Sequence, residues 1–158
     1  KPSSHQLTMT VLMTPSMANF SGKVHGGTLL KLLDEVAYAC ASRFAGHYVV
    51  TLSVDRVTFR QPVHVGELVT FLAQVNFAGR TSMEVGIKVI TENILESSVR
   101  HTNSCFFTMV AVDEHGQPCQ VPQLPLLTEK DQVRFVTAQE RRKGRQAFEL
   151  EHRGRKKP

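Results

Sequence analysis

The side chains best spaced for chemistry lie in residues 19–44, a run that reads Asn19-Phe-Ser-Gly-Lys-Val-His25-Gly-Gly-Thr-Leu-Leu-Lys-Leu-Leu-Asp34-Glu-Val-Ala-Tyr-Ala-Cys40-Ala-Ser-Arg-Phe. Gly26 and Gly27 open about five turns of predicted helix, and without a Cβ they let a ligand approach backbone N–H groups. A helix start carries unpaired donors and partial positive charge, which suits an anion or a developing oxyanion. Asp34 follows two turns later. At ~100° per residue it falls ~40° from Leu30, on the apolar stripe traced by Leu30, Leu33, Ala37, Cys40, Ala41 and Phe44. An ionised carboxylate on a buried face is costly unless it is paired or hydrogen-bonded. Pattern alone leaves two readings open. Asp34 marks the edge of the stripe and reaches water beside Lys31 or Tyr38, or it is a base or nucleophile in an apolar pocket. The second reading, with a donor site at the helix start, describes an acyl-transfer site. Asn19 taken alone is a turn residue.

The remaining elements must hold this run in place. Residues 6–13 alternate as a first strand, and Pro15, Asn19, Ser21 and Gly22 break the pattern into a loop. The helix stops near Gly46. Residues 48–59 are rich in β-branched side chains and predict one long strand, closed by Pro62. A turn at 64–67 precedes strands at 68–77 and 81–91, joined through Ala78-Gly79-Arg80 as a hairpin. Residues 100–113 predict another strand, ended by 114–118. Thr128 then caps a charged helix running to about Lys143. The expected class is α+β, an antiparallel sheet curled around one helix. Its open edges call for pairing across a two-fold axis. The expected division is a sheet-and-helix domain over 1–127 and a charged helix with a basic tail over 128–158.

At 158 residues the chain is one domain with room for a substantial core. Its apolar fraction of 41% and charged fraction of 21% fit a globular protein, with no apolar run near the ~20 residues that span a bilayer. No secretory leader pattern is read. Cys40, Cys105 and Cys119 are odd in number and far apart, so they frame no disulfide set, and a reducing cytoplasm is expected. Cys40 sits on the helix stripe and is read as packing. The seven His show no HxH or HExxH spacing, and no metal site is read. The net charge of +5 resides in 139–158, where eight Lys or Arg face three Glu, while 1–138 are neutral. Such a basic end is read as a solvated tail, without nucleic-acid binding.

Residues 19–35, Ser53-Val-Asp-Arg-Val-Thr-Phe59, Pro62-Val-His-Val-Gly-Glu67 and Gly79-Arg-Thr-Ser-Met-Glu84 together resemble the hotdog-fold acyl-CoA thioesterases. Within them the match is to the cytosolic acyl-CoA hydrolase and bacterial YciA-like group, over roughly 6–145. The resemblance implies a sheet wrapped round a central helix and hydrolysis of acyl-CoA to a fatty acid and CoA, with no serine nucleophile. It implies Asp34 as general base on water, or as nucleophile through an anhydride. Asn19 would hold the water or the carbonyl by its amide, and the Gly27 N–H would polarise that carbonyl. Asn19 and Asp34 of one site would come from opposite subunits, giving two equivalent sites per dimer. His25, Gly26, Arg56, Gly79, Arg80, Thr81 and Ser82 would contact CoA. No cofactor is implied beyond the CoA of substrate and product. The group also implies a cytoplasmic homo-oligomer built from dimers, a trimer of dimers (homohexamer), without membrane insertion; the single-domain form leans bacterial. A nucleotide effector bound by Lys88, Arg100 and the tail is a further expectation. The alternative is a non-catalytic acyl-CoA sensor with a basic tail.

Overall fold

The computed structural model describes residues 5–155. Five strands make one antiparallel sheet: β1 (Gln6–Leu12), β2 (Tyr48–Val54), β3 (Leu68–Ala78), β4 (Ser82–Asn93) and β5 (Ser98–Val112), in the order β1-β3-β4-β5-β2. Because β1 and β2 are opposite edges, the chain between them must cross the whole sheet. It does so as helix α1 (Gly26–Ala45), laid over the inner face. Val69, Phe71, Ala73 and Val75 of β3 and Met83, Val85, Ile87 and Val89 of β4 alternate onto that face and are buried. Against them α1 buries Leu29, Leu33, Val36, Ala37, Cys40, Ala41 and Phe44. Each large apolar side chain so buried contributes about 1.5–3 kcal/mol. Gly46, at φ 70°, ends the helix in the left-handed conformation, its N–H donating to the Ser42 carbonyl.

The antiparallel sheet around one helix is the expected architecture, with three corrections. Leu30 is 38% exposed and Asp34 is exposed, so the stripe centres on Leu29, Leu33 and Val36 instead. The sheet covers only one side of α1, and the Leu30–Asp34–Tyr38 line flanks that side. The strand predicted over 48–59 stops at Val54. Asp55 gives its N–H to Phe106, and the chain then leaves β5 to pass over the start of α1. The charged C-terminal helix, α2 (Glu129–Arg155), runs twelve residues beyond Lys143. Gln, Ala, Glu and Arg sustain helix without an apolar stripe, helped by pairs such as Arg155–Glu151 at 2.7 Å.

Thr128 caps α2 as expected. Its Oγ1 accepts the Asp131 N–H at 3.1 Å, while Asp131 Oδ2 accepts the Thr128 N–H at 3.2 Å. The helix packs on the outer face of the sheet. Phe135 meets Phe77, ring centres 5.0 Å apart, and Arg141 lies 3.7 Å over the Phe106 ring while bonding Glu84 through two nitrogens. Arg145 reaches Asp55 at 2.8 Å. Bulges interrupt β2 between Thr51 and Ser53 and β3 between Val75 and Phe77. Among the described residues no helix is long and apolar enough to cross a membrane.

Candidate active site

Asp34 sits where α1 runs beside the edge strand β2. Thr51 of that strand faces inward, and its hydroxyl donates to Asp34 Oδ1 at 2.5 Å. That bond fixes one carboxylate oxygen and leaves the other to act. Two turns earlier, His25 occupies the N-cap position without a side-chain cap bond, and its carbonyl receives the N–H groups of Thr28 and Leu29 at 3.1 and 3.2 Å. Gly26 and Gly27 thus carry first-turn N–H groups that have no partner in the helix. A Cβ on Gly27 would meet nothing within 4 Å, whereas one on Gly26 would touch the Phe59 ring at 3.5 Å. Seven residues of helical rise separate Gly27 from Asp34, about 10 Å.

Asn19 closes the loop ahead of α1. Its Oδ1 accepts the Ser21 N–H at 2.9 Å, the Ser21 hydroxyl at 2.7 Å and the Lys23 N–H at 3.2 Å. None of these bonds uses Nδ2, a two-proton donor. The loop is tied to the 62–67 segment by Val24 N–H to Val63 O at 2.8 Å and by the Lys23–His64 bridge. That segment is in turn locked by Glu67, which accepts two nitrogens of Arg100 at 2.6 and 2.9 Å and the His64 N–H at 2.7 Å. The Arg100 hydrogen bond outweighs burial and holds the Glu67 carboxyl below the ordinary range. Arg100, proposed above as an anion ligand, is therefore engaged within the fold.

The residues expected at CoA divide between two places. His25, Gly26 and Gly27 sit at the helix start, next to Val24, which bonds Val63 near the start of β3; the Gly79–Ser82 turn sits at the opposite end of the sheet, where β2 begins. One protomer does not bring them together. In the turn, Gly79 N–H donates to Ser82 O at 2.8 Å, Val121 N–H to Arg80 O at 2.9 Å and Ala111 N–H to Thr81 O at 3.0 Å. The Gly79 amide is thus used internally, while Arg80 and Arg56 are exposed. Burial pushes the Cys40 thiol up to about 11, which fits a packing role rather than a nucleophile. Thr51 escaped sequence reading. Its signal was weak: one hydroxyl among the β-branched residues of a strand whose inward positions, 49 and 51, pass beside α1.

Comparison with known proteins matches residues 21–98 to the thioesterase superfamily. Protein VdlD of Helicobacter pylori is 50% identical over 140 residues, 89% of this chain and 80% of that protein. A hexameric acyl-CoA thioesterase, solved without ligand, superposes with TM-score 0.87 at 36% identity over 92% of this chain and 94% of that one. The acyl-CoA hydrolase of Staphylococcus aureus, 28% identical over 97% of this chain and 92–94% of that one, superposes with TM-scores of 0.85–0.88 in variants replacing an Asn, an Asp and a Thr by Ala. Those three positions are spaced by fifteen and then seventeen residues, the spacing of Asn19, Asp34 and Thr51 here. The chain belongs to the thioesterase superfamily, among its hotdog-fold acyl-CoA thioesterases.

Proposed function

We propose that this protein hydrolyses acyl-CoA thioesters to a carboxylic acid and CoA, at sites shared between two subunits. The observation that carries this reading is the Asp34–Thr51 hydrogen bond of 2.5 Å, at the same spacing as the Asp and Thr replaced in the S. aureus hydrolase. Asp34 takes a proton from water as the water oxygen attacks the thioester carbonyl carbon. The Gly27 N–H and the Asn19 amide donate to the carbonyl oxygen as it becomes an oxyanion. When the tetrahedral intermediate collapses, the C–S bond breaks and the sulfur leaves with the proton. Direct attack by Asp34, through an anhydride that water then opens, is the other balanced route. CoA enters as part of the substrate, and no further cofactor is proposed.

The edges of the sheet support the two-subunit reading. β2 has one open ladder, and Tyr48, Val50, Leu52 and Val54 on it are exposed. Two copies pairing their β2 edges antiparallel across a two-fold axis would set the Gly79–Ser82 turn of one against the helix start of the other. Asn19 and Gly27 of one protomer would then serve Asp34 and Thr51 of its partner. We infer a homo-oligomer of such dimers, in the hexameric form of the comparison structure, in the cytoplasm. The sensor alternative is less well supported, since Arg141 and Arg145 of the basic segment are bonded to Glu84 and Asp55.

Asp34→Asn keeps the volume and removes the base. With acyl-CoA and a free-thiol readout, turnover is expected to fall by ~10² or more with the oligomer intact. Turnover near that of the unaltered protein would sink the assignment of Asp34.

A further inference from the structure

Beneath the first two turns of α1 lies a small, largely apolar cavity, partly open to the surface. Leu29 and Leu33 form its roof, Phe71 and Val89 of the sheet its walls, and Thr102 part of its floor. Phe59 closes the side beside Gly26. The free volume is about 10 Å³, room for at most one water. Its position is unusual for a simple packing defect. The same Phe59 ring lies against Gly26, next to the Gly27 N–H that we assign to the thioester carbonyl. An acyl group whose carbonyl sits at Gly27 would have this cavity close by, since Leu29, two residues on, lines it.

Phe59 is also the wall best able to move. It is 46% exposed, while Leu33, Phe71 and Val89 are 4% exposed or less. It belongs to a span anchored only at its ends. Asp55 is held by Phe106 and Arg145, and Pro62 and Val63 are held by Arg100 and Val24. Between them, no hydrogen bond joins residues 56–61 to the rest of the described chain. Thr102, which lines the cavity, bonds the buried Thr91 at 3.1 Å, and Gln61 and Asn103 complete the polar part of the lining.

We propose that Phe59 is the gate of the acyl pocket and sets which chain lengths this enzyme accepts, by swinging off the cavity between Leu29, Leu33, Phe71 and Val89 to admit a straight acyl chain. The inference rests on the hydrolase reading. With the ring removed, the space it occupies is permanently open, and longer chains no longer need to displace it. With a larger ring, long chains are excluded first. Discrimination of ~10-fold per step of one or two methylenes is within reach of an apolar pocket.

The test measures kcat/KM on oligomeric wild type, Phe59→Ala and Phe59→Trp across acetyl-, butyryl-, octanoyl-, lauroyl- and palmitoyl-CoA. Phe59→Ala should raise the lauroyl-to-butyryl ratio by ~10-fold or more, and Phe59→Trp should lower it by a similar factor. Because residue 59 is half-exposed, both variants are expected to fold. Ratios unchanged within twofold in both variants, with hydrolysis intact, would overturn the gate while leaving the hydrolase. If wild type releases no thiol from any member of the series, the hydrolase reading fails and the gate fails with it.

Discussion

Two helices pack on the two faces of one sheet, and they are held by opposite kinds of force. α1 buries eight apolar side chains against Val, Phe, Ile and Met of the inner face, with no ion pair between helix and sheet among the described residues. α2 buries only Asp131 and Ala138, and it is fastened by Arg141 to Glu84, Arg145 to Asp55, and Gln74 to Asp131 at 3.1 Å. Burial of apolar area is non-directional and insensitive to pH. Charge-assisted bonds are directional and fail when either partner changes its charge. The chemistry sits on the edge of the apolar helix, where the carboxylate's position is inherited from a rigid core. The charged helix contributes its grip at one end of the segment that leads to Phe59.

The sharpest break of this comparison is Leu33→Ala. It removes a fully buried side chain between α1 and the sheet, and urea unfolding at fixed protein concentration should show a loss of about 2–5 kcal/mol. Arg141→Ala should cost less, about 1–3 kcal/mol, because Arg145 remains 3.8 Å from the stranded Glu84 carboxylate. If the second loss equalled or exceeded the first, the division into an apolar and an ionic face would be wrong.

Acid provides the mildest probe. Burial pulls the Asp131 carboxyl upward, but hydrogen bonds from Gln74, Thr128 and the Leu127 and Thr128 amides outweigh it and hold it below the ordinary value. A depressed native pKa means stability that is present above the unfolded value near ~3.9 and lost as pH falls through the native one. Asp131→Asn should therefore cost about 0.5–1.5 kcal/mol at pH 7 and progressively less toward pH 2. A deficit that stays constant over that range would place the stabilisation elsewhere.

What could be read from the residues follows the same division. The strands, α1, its Gly46 stop and the Thr128 cap were legible because each rests on local pattern or on one decisive residue. The orientation of α1 was misjudged by one position of the stripe. Periodicity alone cannot tell Leu29 from Leu30 as the centre until the sheet's coverage is known. The length of α2 was missed because its helix is sustained by propensity and ion pairs rather than by an apolar period. At the site, Asp34 announced itself by standing among leucines, and the paired glycines by their position. Thr51 did not, since its partner is seventeen residues away and on another element. The place of the Gly79–Ser82 turn relative to the helix start is a property of the whole sheet, and no local pattern encodes it.

The bulge in β2 has a consequence for how the two faces communicate. Upstream of it the odd-numbered residues Val49 and Thr51 share a face with Ala111 and Met109; downstream the even-numbered Val54 pairs with Phe107, and Asp55 turns outward beside Phe106. One extra residue thus reverses the phase of the strand, so that Thr51 greets the inner helix and Asp55 the outer one. A strand of strict alternation would deliver both to the same side. Excising Leu52 would remove the bulge yet keep Ser53 opposite Thr108 and Val54 opposite Phe107, so Thr51 and Asp55 would stay on opposite faces; the phase shift resides in that one residue.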